Sequence, residues 1–288
     1  MPTTAPLIYV LLLLMVTAVW GWTFVLVKDA VTQYPTLPFL QIRFALALVV
    51  MALLVRRLPK LRELRIGLLI GAVLAAGYLT QTVGLTMTSP GNAGLITGLF
   101  VVVTPLLNRV FGGAIRWWTW VATVISLAGL LFLTGGPSGM GLGDLLVLTC
   151  AVLFALHIVL LGRWSPGLPA APLAMVQMAS CTLIFSAGGT WKLSVPSAAV
   201  WFAIVITGVF ASALAFYIQT WAQAFISPNR TALILATEPA WALAAAVVLA
   251  GQRLGLLQAI GAALVLAAIV GHELASLKFE VHGQPSPP

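Results

Sequence analysis

The sequence predicts an all-α integral membrane protein: ten transmembrane helices arranged as two inverted five-helix repeats. Three observations carry this. The 288 residues are 61% hydrophobic and 7% charged, whereas a soluble domain is about a quarter charged. Too few charges remain to cover the chain against water, so most of it must be solvated by lipid. The apolar residues fall into ten runs of about 20 residues, the length at which a helix crosses a bilayer and about twice what a barrel strand needs. Finally, "QTVGLTMTSPGNAGLI" (81–96) returns as "QTWAQAFISPNRTALI" (219–234), with six identities at a constant offset of 138.

The first span, 7–27, lacks a basic leader and reads as a retained helix rather than a cleaved signal. "YPTLP" breaks the chain before span 2, 37–55, and "RRLPKLRE" before span 3, 65–85. "TSPGN" precedes span 4, 91–110, and "GGAIR" precedes span 5, 117–134, with "GGPSGMG" after it. Spans 6 to 10 follow at 143–162, 170–189, 197–218, 228–250 and 256–274, with breakers such as "RWSPGLP" and "ISPNR" between them. Backbone groups in lipid must be satisfied within the chain, which helices do.

Orientation follows from the basic residues. Ten of them, including Arg56, Arg57, Lys60, Arg62, Arg65 and Arg163, fall on one side, and Lys28, Lys192 and Arg253 on the other. This places both termini in the cytoplasm. The repeat lays spans 3 and 4 over spans 8 and 9, so each half has five spans. An odd number makes the second half enter from the opposite side. Such inverted halves are an architecture of secondary transporters, which rock about a midplane site. The division expected is 1–138, 139–276 and a polar cytoplasmic tail, 277–288.

The net charge of +8 sits between apolar runs, so it reads as membrane orientation and implies no nucleic-acid partner. The partners expected are the bilayer and a small-molecule substrate, and ten spans suffice for a monomer. No cofactor or metal is expected. Cys150 and Cys181 lie inside apolar runs as inert thiols, Asp29 and Asp144 are 115 residues apart, and no HExxH, GxSxG or CxxC occurs. These absences exclude the common membrane-enzyme chemistries. The lack of a filter motif or charged ring weighs against a channel.

The chain resembles the drug/metabolite transporter superfamily in its EamA-type ten-span branch. The residues that carry this are "AVWGWTF" in span 1, "QIRFALA" in span 2, "TSPGNAGLITGL" then "TP" in span 4, "GDLLVLTCAVLFAL" opening span 6, and "ATEPAWALAAAVVLAGQRLGLLQAIGAALVLAAIV" over spans 9 and 10. The resemblance implies a small-metabolite carrier, usually an exporter, in the bacterial inner membrane. Within the branch the chain looks most like YddG-type exporters of aromatic amino acids. The aromatic "WGWTF" departs from the commoner small-residue pattern of span 1.

Polar and aromatic residues that share helix faces are the candidate substrate contacts. They are Trp20 in span 1, Tyr78 and Gln81 in span 3, Thr97 in span 4, Phe154 and His157 in span 6, Tyr217 and Trp221 in span 8, and Glu238 and Trp241 in span 9. Together they suit an amphipathic, roughly neutral solute. Glu238 lies about 15 Å into its span. It reads either as a proton or substrate-amine site, or as a structural carboxyl bonded to another helix and placed by Pro239. Arg43 reads as a tie between helices, and His157 admits a packing role as well as a lining one. Pro105 and Pro239 are candidate hinges, because each removes a backbone donor inside a span.

Overall fold

The computed structural model describes residues 7–88, 90–134, 141–188, 195–250 and 255–281. Among them every regular element is helical. The order is α1 (Leu7–Gln33), α2 (Thr36–Leu54), α3 (Leu61–Met87), α4 (Pro90–Gly98), α5 (Phe100–Val110), α6 (Trp117–Thr134), α7 (Leu142–Trp164), α8 (Ala170–Ala187) and α9 (Ala198–Gly208). A π-helical segment, Val209–Leu214, then leads into α10 (Ala215–Gln223), followed by α11 (Pro228–Leu235), α12 (Glu238–Ala250) and α13 (Leu256–Val281). Among the described residues six helices are long and apolar enough to cross a membrane: Leu7–Gln33, Thr36–Leu54, Leu61–Met87, Leu142–Trp164, Ala170–Ala187 and Ala198–Gln223. Ile96–Val110 and Leu256–His272 are shorter apolar helices.

Local chemistry explains the ends. Ser197 and Ser227 are N-caps, each accepting from the backbone N–H three residues on. Pro228 at the first helical turn needs no donor there. Asp144 accepts from Gly141 N–H at 2.9 Å and so closes the first turn of α7. Glu63 does the same for Lys60 N–H, also at 2.9 Å, and is held by Arg57. Gly112, at φ 83°, turns the chain out of α5.

Several helices overrun their apolar cores. α1 continues to Gln33 because the first breaker is Pro35, and α13 continues to Val281, into the expected tail 277–288. Polarity marks where a helix leaves lipid but does not by itself stop it, and no proline falls within α13. Residues 282–288, the boundary between the expected halves at 138 and 139, and Trp191, Lys192 and Arg253 lie outside the described residues.

Two expected spans are broken rather than continuous. Span 4 breaks at Leu99 and span 9 at Ala236 and Thr237, so Leu99 and Thr237 stand at the same 138-residue offset as the sequence repeat. Neither break falls on a proline. Pro105 lies inside α5 and Pro239 is the second residue of α12. Each proline lacks the N–H that would bond the carbonyl four residues back, Val101 or Leu235, so the ladder loosens on its N-terminal side.

α3 packs along α7 and α8, while α9 packs on α1 and α2 and α10 packs on α1. α4 and α5 lie on α7, and α12 lies on α1. α2 meets α8, α5 meets α11, and α6 pairs with α13. The α3–α8 approach depends on Gly67 and Gly71. A Cβ on Gly71 would stand 2.6 Å from Ser180 Cβ and 2.8 Å from Gln177 O. Small residues of this kind let membrane helices come together. The Trp117, Trp118 and Trp120 cluster is mixed rather than a uniform belt: Trp117 is exposed, whereas Trp118 is buried under the Arg116 guanidinium.

Gly71→Val is expected to lower the melting temperature of the purified protein in detergent, by a destabilisation of about 1–3 kcal/mol. Gly271, with nothing within 4 Å of its would-be Cβ, serves as the control. Gly271→Ala is expected to melt at or above wild type. A Gly71→Val protein as stable as wild type would refute the close approach.

Candidate functional site

Where α1, α2, α3, α5, α7, α10, α11 and α12 converge, they enclose a cavity of about 650 Å³, counting the open space at its mouth. One wall is aromatic. The Tyr78 ring meets Phe154 edge-on at 5.4 Å and Phe216 at 5.9 Å, and Trp20 lies 5.5 Å from Phe216. A solute entering here would find apolar ring faces with polar groups set between them.

The polar groups are held in place from behind. Trp20 donates its indole N–H to Ala211 O at 2.8 Å, a carbonyl of the π-helical segment. Gln81 Nε2 donates to Thr97 Oγ1 at 3.3 Å. Arg43 Nε donates to Ser212 Oγ at 2.9 Å, and its Nη2 to the Tyr78 hydroxyl at 3.3 Å. Gln177 commits its amide N–H to Thr220 Oγ1 (3.1 Å) and Leu173 O (3.4 Å). Its oxygen therefore faces His157 Nε2, 2.9 Å away, which must carry the proton. His157 Nδ1 is left as an acceptor.

In the cavity wall, the Gln219 amide oxygen and the Glu238 carboxyl receive no hydrogen bond from the described residues. Gln219, 1% exposed, donates to Gln223 Oε1 at 2.9 Å, but its own Oε1 receives no bond. Glu238 opens α12 on the cavity wall at 7% exposure, and no hydrogen bond or ion pair accompanies it. A buried acceptor left in this way is costly unless a solute or water supplies the donor.

Of the residues singled out in the sequence, Trp20, Tyr78, Gln81, Phe154, His157 and Glu238 line this cavity. Thr97 stands behind Gln81. Tyr217, Trp221 and Trp241 are not in the wall. Tyr217 packs against the hydrophobic core, Trp221 is 38% exposed with its ring edge on Tyr9, and Trp241 is also 38% exposed. On α10 the wall is made instead by Phe216 and Gln219. The error is one of rotation, since each residue advances the helix by about 100°. The correct face was available from the repeat: the offset of 138 carries Tyr78 to Phe216 and Gln81 to Gln219. Arg43 does tie helices together, as expected, but it also lines the cavity.

Among the described residues no three His, Cys, Asp or Glu side chains come together as a metal site. Cys150 and Cys181 are free and buried.

A polytopic helical bundle closed around one mixed aromatic and polar cavity is the architecture of a membrane transporter. The model of the EamA-like transporter family matches the sequence twice, over residues 7–135 and 141–272, and the chain belongs to that family. It is a multi-pass membrane transporter and not an enzyme. An "Uncharacterized transporter" of Archaeoglobus fulgidus is 30% identical over 264 residues, 90% of this chain and 83% of that one. The "Uncharacterized inner membrane transporter YedA" of Escherichia coli (strain K12) is 29% identical over 248 residues, 82% and 79% of the two chains. One crystal structure superposes with a TM-score of 0.76 at 21% identity, covering 93% of this chain and 98% of the other, which extends the likeness in fold.

The rotation of α10 is directly testable. In a background without Cys150 and Cys181, Gln219→Cys is expected to react with a small charged thiol reagent. Trp221→Cys, facing out of the bundle, is expected to stay unmodified at the same exposure. The reverse pattern would put the cavity on the Trp221 face.

Proposed function

We propose that this chain exports small amphipathic metabolites, aromatic and other neutral amino acids first, by alternating access of two inverted five-helix halves. The carrying observation is the cavity itself. It is walled by rings from both parts of the chain, Trp20 and Tyr78 from one, Phe154 and Phe216 from the other. It combines apolar surface with a few fixed donors and acceptors, which is what an amphipathic solute needs. The aromatic "WGWTF" of span 1 contributes Trp20 to that wall.

Residues 1–138 and 139–276 are taken as the two halves, and their packing supports this. Exchanging the halves turns the contact of α3 with α7 and α8 into that of α10 and α9 with α1 and α2. It turns the contact of α4 and α5 with α7 into that of α11 and α12 with α1, and α5–α11 into α12–α4, while α2–α8 and α6–α13 map onto themselves. The matching breaks at Leu99 and Thr237 support it too. An inner-membrane location with both termini cytoplasmic accords with the basic asymmetry, and a monomer contains the whole cavity.

Glu238 is read as the coupling site. The structural alternative needs a partner on another helix, and none accompanies it among the described residues. The charged and titratable groups sharing its cavity are Arg43, Tyr78 and His157. A carboxyl in this position can load a proton on one side and release it on the other.

Liposomes containing the purified protein are expected to accumulate labelled Phe, Trp or Tyr under an imposed pH gradient. Glu238→Gln keeps the shape but cannot titrate, so it is expected to spare exchange and lose gradient-driven net transport. Loss of folding yield along with both activities would make Glu238 structural. Wild-type transport indifferent to the gradient would leave facilitated diffusion, and ohmic single-channel current would mean a pore.

Topology has its own check. Cysteines introduced as Ser138→Cys and Gly283→Cys, without the native thiols, are expected to label from opposite sides of the membrane. Equal labelling by an impermeant reagent in intact cells would overturn the orientation.

A further inference from the structure

Arg43 lies on the second turn of α2, at 3% exposure, in the cavity wall. A guanidinium in the interior of a membrane protein is costly without an anion to meet it. Its bonds here go to two neutral hydroxyls, Ser212 on the π-helical segment and Tyr78 on α3. Among the described residues no carboxylate bonds it. Among the described residues the ion pair present is Arg57–Glu63, at the start of α3. Glu238 lines the same cavity but makes no ion pair with Arg43.

The two hydroxyls do something more specific than neutralise. Ser212 takes Nε and Tyr78 takes one N–H of Nη2. The Tyr78 ring centroid lies 4.7 Å from Cζ and fixes the plane of the group. The remaining N–H groups belong to the two terminal nitrogens. That leaves a planar fork of the kind that pairs with a carboxylate through two parallel bonds. Apolar rings surround it, so an amphipathic acid fits and a hydrated inorganic anion does not.

We propose that the counter-ion of Arg43 is the carboxylate of the transported solute, with Ser212 and Tyr78 as positioning residues that hold the fork toward the cavity. This rests on reading the cavity as the carrier's substrate site. It narrows the amphipathic class to solutes bearing a carboxylate. Decarboxylated amines, esters and amides with the same ring are rejected, because each leaves the buried charge unpaired. In the same cavity wall, the unpartnered Gln219 Oε1 and the Glu238 carboxyl are available for a donor on the solute, which suits an α-amino group.

The test measures binding of labelled 3-phenylpropanoate to the purified full chain, with 3-phenylpropanamide, 2-phenylethylamine, chloride and inorganic phosphate as competitors. The carboxylate is expected to bind saturably and about tenfold or more tighter than the amide, the usual worth of a charged over a neutral hydrogen-bonded pair. Arg43→Gln is expected to bring acid and amide to within about twofold of one another. Ser212→Ala keeps the charge and removes one support. It is expected to reduce the acid-to-amide ratio, which a general loss of packing, weakening both ligands alike, would not do. It also stands in should Arg43→Gln fail to fold.

The proposal is overturned if the carboxylate does not bind saturably, or if amide or amine binds as tightly. It is also overturned if phosphate or chloride displaces the probe equally well, or if the ratio survives both substitutions. Carboxylate selectivity without transport of any amino acid would remove the amino acid reading and leave the Arg43 site standing. Transport of amino acids together with their methyl esters at equal rates would do the opposite.

Discussion

Hydrocarbon gives a peptide group nothing to bond to, and this sets the terms for the whole chain. Each backbone N–H and C=O within the bilayer must find its partner inside the protein. Long uninterrupted helices satisfy that demand along their own length. The irregular backbone adjoins the cavity wall, beside Phe100, Leu235, Glu238 and Phe216. At the break after α11, Thr237 Oγ1 turns back to Ile234 O at 2.8 Å and lies 2.9 Å from Thr17 Oγ1 of α1. In the π-helical segment, Ala211 O is taken by the Trp20 indole. π segments are a known device for presenting side chains at functional sites. Here a single segment anchors both an aromatic wall residue, through Ala211, and the cationic one, through Ser212.

The same demand sorts the charges. Two cations at helix ends bond the carbonyls of neighbouring helices. Lys28 of α1 reaches the carbonyls closing α3, Leu85 O at 2.6 Å and Thr88 O at 3.2 Å. Arg163, at the end of α7, bonds Phe111 O at the end of α5. Cations suit such C-terminal carbonyls because the helix dipole is negative there. Arg43 and Glu238 differ in kind: they sit deep, and neither is neutralised by a described neighbour. A carrier needs groups of this sort, since charge satisfied within the protein cannot also discriminate among solutes.

Much of the fold could be read from the chain. Apolar runs and proline–glycine breakers placed the helices, and the duplicated Ser-Pro corner located the N-termini of α11 and, by offset, of α4. The lining of the cavity was legible to the extent that its residues were polar or aromatic inside a run, as with Trp20, Tyr78, Gln81, His157 and Glu238. It failed on α10, where Tyr217 and Trp221 were chosen by residue type over Phe216 and Gln219. In a helix buried on one side and facing lipid on the other, both faces are apolar or aromatic, so amphipathic pattern carries little rotational information. Trp241 misled for the same reason. Polarity also misplaced the end of α13, because leaving lipid is not the same as ceasing to be helical.

The sequence by itself determined that this is a helical membrane protein, where its helices begin, and which stretch recurs 138 residues later. Those are properties of composition, local breakers and spacing, and they need no partner. Only the tertiary structure decided which face of each helix turns inward, where α4–α5 and α11–α12 break, and that Arg43 meets neutral hydroxyls rather than an acid. Rotation about a helix axis and the pairing of a buried charge are set by neighbours far away in sequence: Ser212 is 169 residues from Arg43. No local pattern along one helix records what the opposing helix brings to it.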